Sequence, residues 1–240
     1  MSVVRSHDFN ADWLGLRFGI AVGPELVCCD AEELDRQTAQ FDVVEVRCDH
    51  AALPTVGPIA TNGLVHVDTQ LGYRLAIANV GTPPSGVEAR PFPADRVVDA
   101  ASFEFLPFAH ERYARLAGVD AALLDARYRR WAGDLVAAHP SWCVEVRWRG
   151  TLSGYAFARP ISDRHVNLDL VVGAPGGTLP GIGTYQAALA LFGARGVQRV
   201  TAAFSAHNVA AVNVHAQLGC RITSATEVWF SDRRARTVDR

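Results

Sequence analysis

Two short stretches of this chain carry residues that could do chemistry. The first, Thr178-Leu179-Pro180-Gly181-Ile182-Gly183-Thr184, is a glycine-containing turn that opens a helix. Such a turn leaves several backbone N–H groups without an intrahelical partner, and the helix dipole adds positive potential there. Together they make an anion site suited to a pyrophosphate. Gly181 and Gly183 carry no Cβ, so a ligand can come close to the backbone. Pro180 offers no N–H. No lysine follows the glycines, so this is not a P-loop. A third glycine is missing and the turn comes late in the chain, which sets it apart from the dinucleotide fingerprint. The second stretch, Asn208 to Gly219, begins with a residue suited to capping a helix. It carries His215, whose ordinary pKa of about 6.5 allows proton transfer near neutral pH. Asp169, upstream, adds a carboxylate.

The frame that would hold these residues is α/β. Trp142, Val144, Val146 and Trp148 alternate with Glu145, Arg147 and Arg149, the pattern of a half-buried strand. Arg149-Gly150 predicts a turn into a second strand, TLSGYAFAR. HVNLDLVV predicts a third, with Val166, Leu168, Leu170 and Val172 on one face and Asp169 on the other. In the helix after Gly181, Ile182, Tyr185, Leu189 and Phe192 share a face, and Gly193 and Gly196 suit its end. A strand RVTAAF, a helix after Asn208 and a strand TEVWF complete a mixed, mostly antiparallel sheet. Two helical stretches, about 94–107 and 119–138, precede it. Residues 1–80 predict a smaller unit. It has a helix AEELDRQTAQ, capped by Asp30 with Glu33 at the capping-box position, and a strand FDVVEVR. After a Pro/Gly-containing segment come two paired strands, LVHVDTQ and YRLAIANV, joined near Leu71-Gly72. The stretch GTPPSGVEARPFP, residues 81–93, reads as a linker to the second unit, 94–240.

Gly181-Ile182-Gly183 lies six to eight residues after Pro175. Asn208, Ala211, His215 and Gly219 follow the spacing N-x-x-A-x-x-x-Y-x-x-x-G, with His215 at the tyrosine position. Both features resemble the acyl-CoA core of the GNAT superfamily of N-acetyltransferases. The resemblance implies acetyl-CoA as acyl donor. Thr178, Gly181, Ile182, Gly183 and Thr184 would hold its pyrophosphate, and Asn208 would lie beside the pantetheine arm. The strand end at Val171, Val172 and Gly173 would offer a backbone N–H to the thioester oxygen. His215 would protonate the departing thiolate, while Asp169 or a water chain would deprotonate the amine. A thiolate also leaves reasonably well unaided, so a packing role for His215 stays open. Family members usually carry Arg or Gln where Thr178 stands.

Further segments resemble the branch related to dTDP-fucosamine acetyltransferase, in which a partial copy of the domain precedes the catalytic one. They are Trp13-Leu14-Gly15-Leu16-Arg17-Phe18-Gly19, Val67-Asp68-Thr69-Gln70-Leu71-Gly72-Tyr73-Arg74-Leu75, Arg112-Tyr113, and Tyr128-Arg129-Arg130-Trp131. This implies a nucleotide-linked amino sugar as acceptor. Phe108, His110, Arg112 and Tyr113 would shape the cleft, with arginine for a phosphate and an aromatic ring for a sugar or base. Tyr128 and Trp131 equally fit the packing face of an amphipathic helix. Two alternatives follow from Thr178 and His215: an N-acyltransferase on another amine or with a longer acyl donor, and a non-catalytic acyl-CoA-binding module.

Composition narrows the partners. A formal charge of −2 over 240 residues argues against a protein that wraps nucleic acid electrostatically. An apolar fraction of 49% supports a sizeable core. Cys28, Cys29, Cys48, Cys143 and Cys220 are odd in number and lack a C-x-x-C pair, which predicts buried free thiols in a reducing cytoplasm. No His/Cys/Asp/Glu group has metal-ligand spacing. The polar start MSVVRSHDFN lacks a signal-peptide pattern, and no apolar run approaches the ~20 residues that span a bilayer. The expected partner is a small-molecule amine, without nucleic acid or membrane, and a homodimer is left open. Arg233, Arg234, Arg236 and Arg240 predict a frayed basic tail.

Overall fold

The computed structural model describes residues 4–53, 62–95, 97–108 and 110–236, the side chain of Arg236 excepted. In chain order it holds β1 (Arg5–Ser6), α1 (Asp8–Leu14), β2 (Phe18–Val22), α2 (Glu25–Cys28), α3 (Ala31–Thr38), β3 (Val43–Asp49) and β4 (Val65–Ala76). Then come β5 (Val87–Pro91), α4 (Ala121–Ala138), β6 (Cys143–Trp148), β7 (Thr151–Ser162), β8 (His165–Gly173) and α5 (Gly181–Ala194). The chain ends with β9 (Arg199–Ser205), α6 (Val209–Gln217), β10 (Arg221–Asp232) and α7 (Arg233–Arg236). The strands form one sheet, ordered β1-β2-β3-β10-β4-β9-β8-β7-β6-β5. It is mixed: β2–β3 and β8–β9 are parallel, and the other pairs are antiparallel.

The expected hairpin of β6 and β7 turns at Arg149 (φ 49°) and Gly150 (φ 83°), a left-handed pair that suits a tight connection. Asp30 accepts the N–H of Glu33 at 2.8 Å and starts α3 as its sequence predicts. Three expectations are corrected. LVHVDTQ and YRLAIANV are not two strands: β4 runs straight through Leu71-Gly72. A Cβ at Gly72 would come 2.3 Å from Ser224 Oγ, so this glycine permits close strand approach rather than a turn. Residues 94–107 hold no α-helix among those described, only a short 3-10 turn at Ala100–Ser102. Phe103 and Phe105 both enter the core around Tyr155 and Phe157, and side chains two apart share a face only in extended chain. The predicted loose tail is partly tied down. Arg234 pairs with Asp232 at 2.7 Å, and Arg233 donates to the Asp35 carbonyl at 3.2 Å. Arg240, like most of the Pro/Gly-containing segment before Asn62, lies outside the described residues.

The sheet crosses the stretch 81–93, which itself contains β5 at the sheet edge. β4, from the first 80 residues, sits between β9 and β10 and bonds both. On one face α5 packs on Tyr73, Leu75, Val144, Val146, Val166 and Leu168 through Leu189 and Phe192. On the other, α4 covers Cys143, Tyr155, Phe157, Leu170 and Val172. β8 therefore serves both cores, against the expectation of one face for Val166, Leu168, Leu170 and Val172. The cause is a bulge. Phe157 opposes Leu170 and Ala158 opposes Leu168, which leaves Asp169 as an extra residue and inverts the alternation beyond it.

Candidate active site

The parallel strands β8 and β9 are bonded only at His165–Arg199, Val166–Val200 and Asn167–Thr201. Past that row they part, and this edge of β8 from Leu168 to Gly173 has no strand beside it among the described residues. Ala174 donates to the Ser153 carbonyl on the β7 side at 3.0 Å. Strand alternation then turns the N–H groups of Gly173 and Val171 toward the gap, and that of Val172 back to β7. Val172 is thus removed from the expected ligand-binding set: its backbone pairs with Tyr155 and its side chain is in the core. The extended chain at Leu106 crosses the end of β8, its N–H on the Gly173 carbonyl at 2.9 Å. A Cβ on Gly173 would lie 2.7 Å from Leu106 Cδ1, so glycine is what lets this segment approach.

Beyond β8 the chain enters α5. Pro180 sits at the N-cap with no side-chain hydrogen bond, and the first backbone bond of the turn is Gly183 N–H to the Pro180 carbonyl at 2.8 Å. The N–H groups of Gly181 and Ile182 precede that ladder and carry the positive end of the helix. The two glycines differ in kind. Gly181 is exposed, and a Cβ there meets nothing nearer than Val214 Cγ2 at 4.0 Å. Gly183 is buried, and its Cβ would lie 2.7 Å from Leu179 Cδ1. Of the two glycines only Gly181 has open space before it; Gly183 is a packing glycine, a correction to its expected role. Thr184 is likewise buried. Thr178 stands in the loop just before α5. Asn208 caps α6, its Oδ1 accepting the Ala211 N–H at 3.0 Å.

Asp169 faces the open side of the sheet at the start of the gap. Asn167 donates to its Oδ1 at 2.9 Å, and Arg159 pairs with the same oxygen at 3.2 Å. Its side chain is 9% exposed, and Oδ2 has no hydrogen-bond partner among the described residues. Burial raises its pKa, opposed by Arg159 and Asn167. One oxygen of this carboxylate is thus held, and the other is buried beside the gap without a partner among the described residues.

His215 is different. It lies 2% exposed among Tyr73, Phe204 and Tyr185, stacked on Phe204 with ring centroids 4.3 Å apart. Its Nδ1 is 2.7 Å from the Ala211 carbonyl, which can only accept, so the ring hydrogen sits on Nδ1. Nε2 then carries a lone pair, buried and without a hydrogen-bond partner among the described residues. Burial lowers its pKa, opposed by the Ala211 bond. With the hydrogen on Nδ1, Nε2 has none to give in this arrangement, which favours the packing role that the sequence left open.

The expected acceptor residues separate. Phe108, two residues past Leu106, stacks on Tyr128 with centroids 3.6 Å apart. His110 is exposed. Arg112 and Tyr113 belong to a buried network instead. Tyr113 OH donates to Glu45 Oε2 at 2.6 Å and accepts from Asn10 at 2.9 Å, and Arg112 reaches Glu45 Oε1 at 3.2 Å. Burial would raise the Glu45 carboxyl, but Arg112 and Arg47 hold it at about 2. Tyr113 is 1% exposed, so this pair stabilises the fold rather than lining a cleft. Arg159 and Asn167, which hold Asp169, escape a reading of the sequence: Asn167 lies two residues before Asp169 on β8, but Arg159 joins them only through its cross-strand pairing with Asn167.

No metal-ligating cluster occurs among the described residues, and no described helix is long and apolar enough to cross a membrane. No family model and no curated protein matches the sequence. Solved structures do match its fold. A tandem GNAT protein from the clavulanic acid biosynthesis pathway aligns at TM-score 0.50 and 15% identity, over 83% of this chain and 66% of its own. A conserved protein of unknown function from Staphylococcus epidermidis aligns at TM-score 0.56 and 8% identity, over 90% and 84%. The GCN5-related glucosamine N-acetyltransferase region of a fungal multi-domain GH3 β-N-acetylglucosaminidase aligns at TM-score 0.54 and 10% identity, over 83% and 26%. The chain spans just under two thirds of the tandem protein and about a quarter of the fungal one. The parted strands, the uncapped α5 and the mixed sheet around them make up the fold of the GCN5-related N-acetyltransferases.

Proposed function

We propose that the chain is an N-acyltransferase that moves an acetyl group from acetyl-CoA to the amine of a small molecule, with a nucleotide-linked amino sugar as the acceptor class. The observation that carries this is the parting of β8 from β9 after Asn167 and Thr201, beside a helix whose first turn is uncapped. The residues fit the donor. Gly181 and Ile182 would receive its pyrophosphate on their N–H groups, with Thr178 beside them. Val171 and Gly173 would turn backbone N–H groups to the thioester oxygen, where negative charge develops. Acetyl-CoA supplies an activated acyl thioester. The chain supplies orientation and a base: Asp169 Oδ2 takes the proton of the attacking amine while Arg159 and Asn167 hold Oδ1 still. Asn208 keeps α6 in place by its cap. His215 fills the space between α5, α6 and the sheet, and the thiolate leaves without a proton from it.

Calorimetric titration with acetyl-CoA tests the reading. Saturable binding, followed by amine-dependent release of free CoA with an amino-sugar nucleotide, is the expected result. Absence of binding at millimolar ligand would remove it.

A further inference from the structure

A cavity of about 590 Å³ lies at the opposite end of the sheet from the gap, lined by Arg74, Arg164, His165, Gln198, Arg199 and Arg221 among others. No carboxylate is among the described residues lining it. None of the four guanidinium groups has an ion pair or hydrogen bond among the described residues. Many arginines elsewhere are paired: Arg17, Arg47, Arg112, Arg147, Arg159 and Arg234 each face a carboxylate.

The sheet register makes this grouping specific. Arg74 on β4 is the direct cross-strand partner of Arg221 on β10, and Arg199 on β9 is the partner of His165 on β8. Tyr73, Leu75 and Val200 point into the core under α5. Alternation therefore puts Arg74, Arg221, Arg199 and His165 on the other, open face. Like charges directly opposite one another in a sheet repel. An anion between them would turn that repulsion into binding, and guanidinium groups match phosphoryl oxygens two at a time.

A polar row leads from this pocket to Asp169. His165 Nε2 is 2.9 Å from Thr201 Oγ1, Thr201 Oγ1 reaches Asn167 Oδ1 at 3.3 Å, and Asn167 bonds Asp169. Asp169 lies four positions along β8 from His165 on the same face, ~13 Å at the strand rise. We infer that the arginine pocket holds the phosphoryl group of the acceptor, whose amine reaches Asp169 along this row. This rests on the N-acyltransfer reading and narrows it: the acceptor is an amine carrying a phosphate or diphosphate within about that span.

The test uses the full chain and inorganic pyrophosphate at low salt, by calorimetry. The wild type should bind it without competing with acetyl-CoA, whose own pyrophosphate belongs at α5. Arg221→Glu places a carboxylate opposite Arg74. It should weaken pyrophosphate binding about tenfold or more, with no fall in melting temperature and unchanged acetyl-CoA affinity. Turnover of UDP-glucosamine against glucosamine separates the two sources of the anion. A wild-type preference for the nucleotide-linked amine that Arg221→Glu abolishes supports the acceptor assignment. Pyrophosphate binding without that preference overturns it and leaves a separate anion site. Binding that survives in Arg221→Glu, or that displaces acetyl-CoA, overturns the pocket. If acetyl-CoA fails to bind while pyrophosphate binds and is lost in the variant, it is the N-acyltransfer reading that falls.

Discussion

Replacing Gly181 by aspartate sets stability and ligand binding against each other. The position is exposed, and the added side chain meets only Val214, with Cγ2 4.0 Å from the new Cβ. It is the first residue of α5, which has no side-chain cap. A carboxylate there interacts favourably with the helix dipole, by ~0.3–1 kcal/mol. Aspartate also forms helix better than glycine by a few tenths of a kcal/mol. The variant should melt a few degrees above the wild type, at ~2–4 °C per kcal/mol for a chain of this size. For a pyrophosphate on the same N–H groups the carboxylate is a like charge. At about 5 Å and an effective dielectric between 20 and 80, each such pair costs ~1–3 kcal/mol, about five- to 150-fold in affinity. Acetyl-CoA titration and thermal melting of the same preparation read both effects. Gly183→Ala is the contrast: its Cβ falls 2.7 Å from Leu179 Cδ1. Overpacking of that kind costs ~1–3 kcal/mol, so this variant should melt lower yet keep its acetyl-CoA affinity while folded. Wild-type affinity in Gly181→Asp would refute the placement of the pyrophosphate at α5.

The Glu45 carboxyl is depressed by folding, from 4.5 to about 2, so its contribution of ~3 kcal/mol is complete above the higher value and is lost as pH falls through the lower. Melting followed by circular dichroism should show that loss in the wild type and not in Glu45→Gln, and an identical acid profile in both would clear the network of the effect. Asp169→Asn should cut kcat by about 100-fold or more and remove the acidic limb of the kcat/KM profile, which lies above the ordinary Asp value of 3.8 because burial raises this carboxyl. Retention of that limb in the variant would take the base role from Asp169. His215→Phe keeps a ring between Tyr73 and Phe204 and removes a buried lone pair, so melting temperature should hold or rise and kcat should change by less than about tenfold; a larger loss confined to the alkaline side would restore the acid.

Much of the second half of the chain is legible because its signals are local. The alternation from Trp142 to Trp148, the Arg149-Gly150 turn, the helix after Gly181 and the Asn208 cap each rest on neighbouring residues, and each is found where its sequence puts it. What escapes is set by partners distant in sequence. Gly72 looks like a turn because the cause of a glycine there, the close approach of Ser224, is some 150 residues away. Arg112 and Tyr113 look like cleft residues because Glu45, which fixes them, belongs to β3. Gly181 and Gly183 look equivalent until Leu179 folds back beneath the second.

Asp169 shows how far a single residue of register reaches. Read at period two, β8 would place Val166 through Val172 on one core and leave Asp169 as one more exposed strand carboxylate. The bulge gives Val166 and Leu168 to the core under α5, and Leu170 and Val172 to the core under α4. Both cores therefore depend on the extra residue, and a strand serving two cores cannot slip without unburying one of them. The same residue falls two positions past the last bonded row of β8 and β9. Packing on both faces thus fixes the carboxylate beside the gap, with Asn167 and Arg159 left only to choose which oxygen is held.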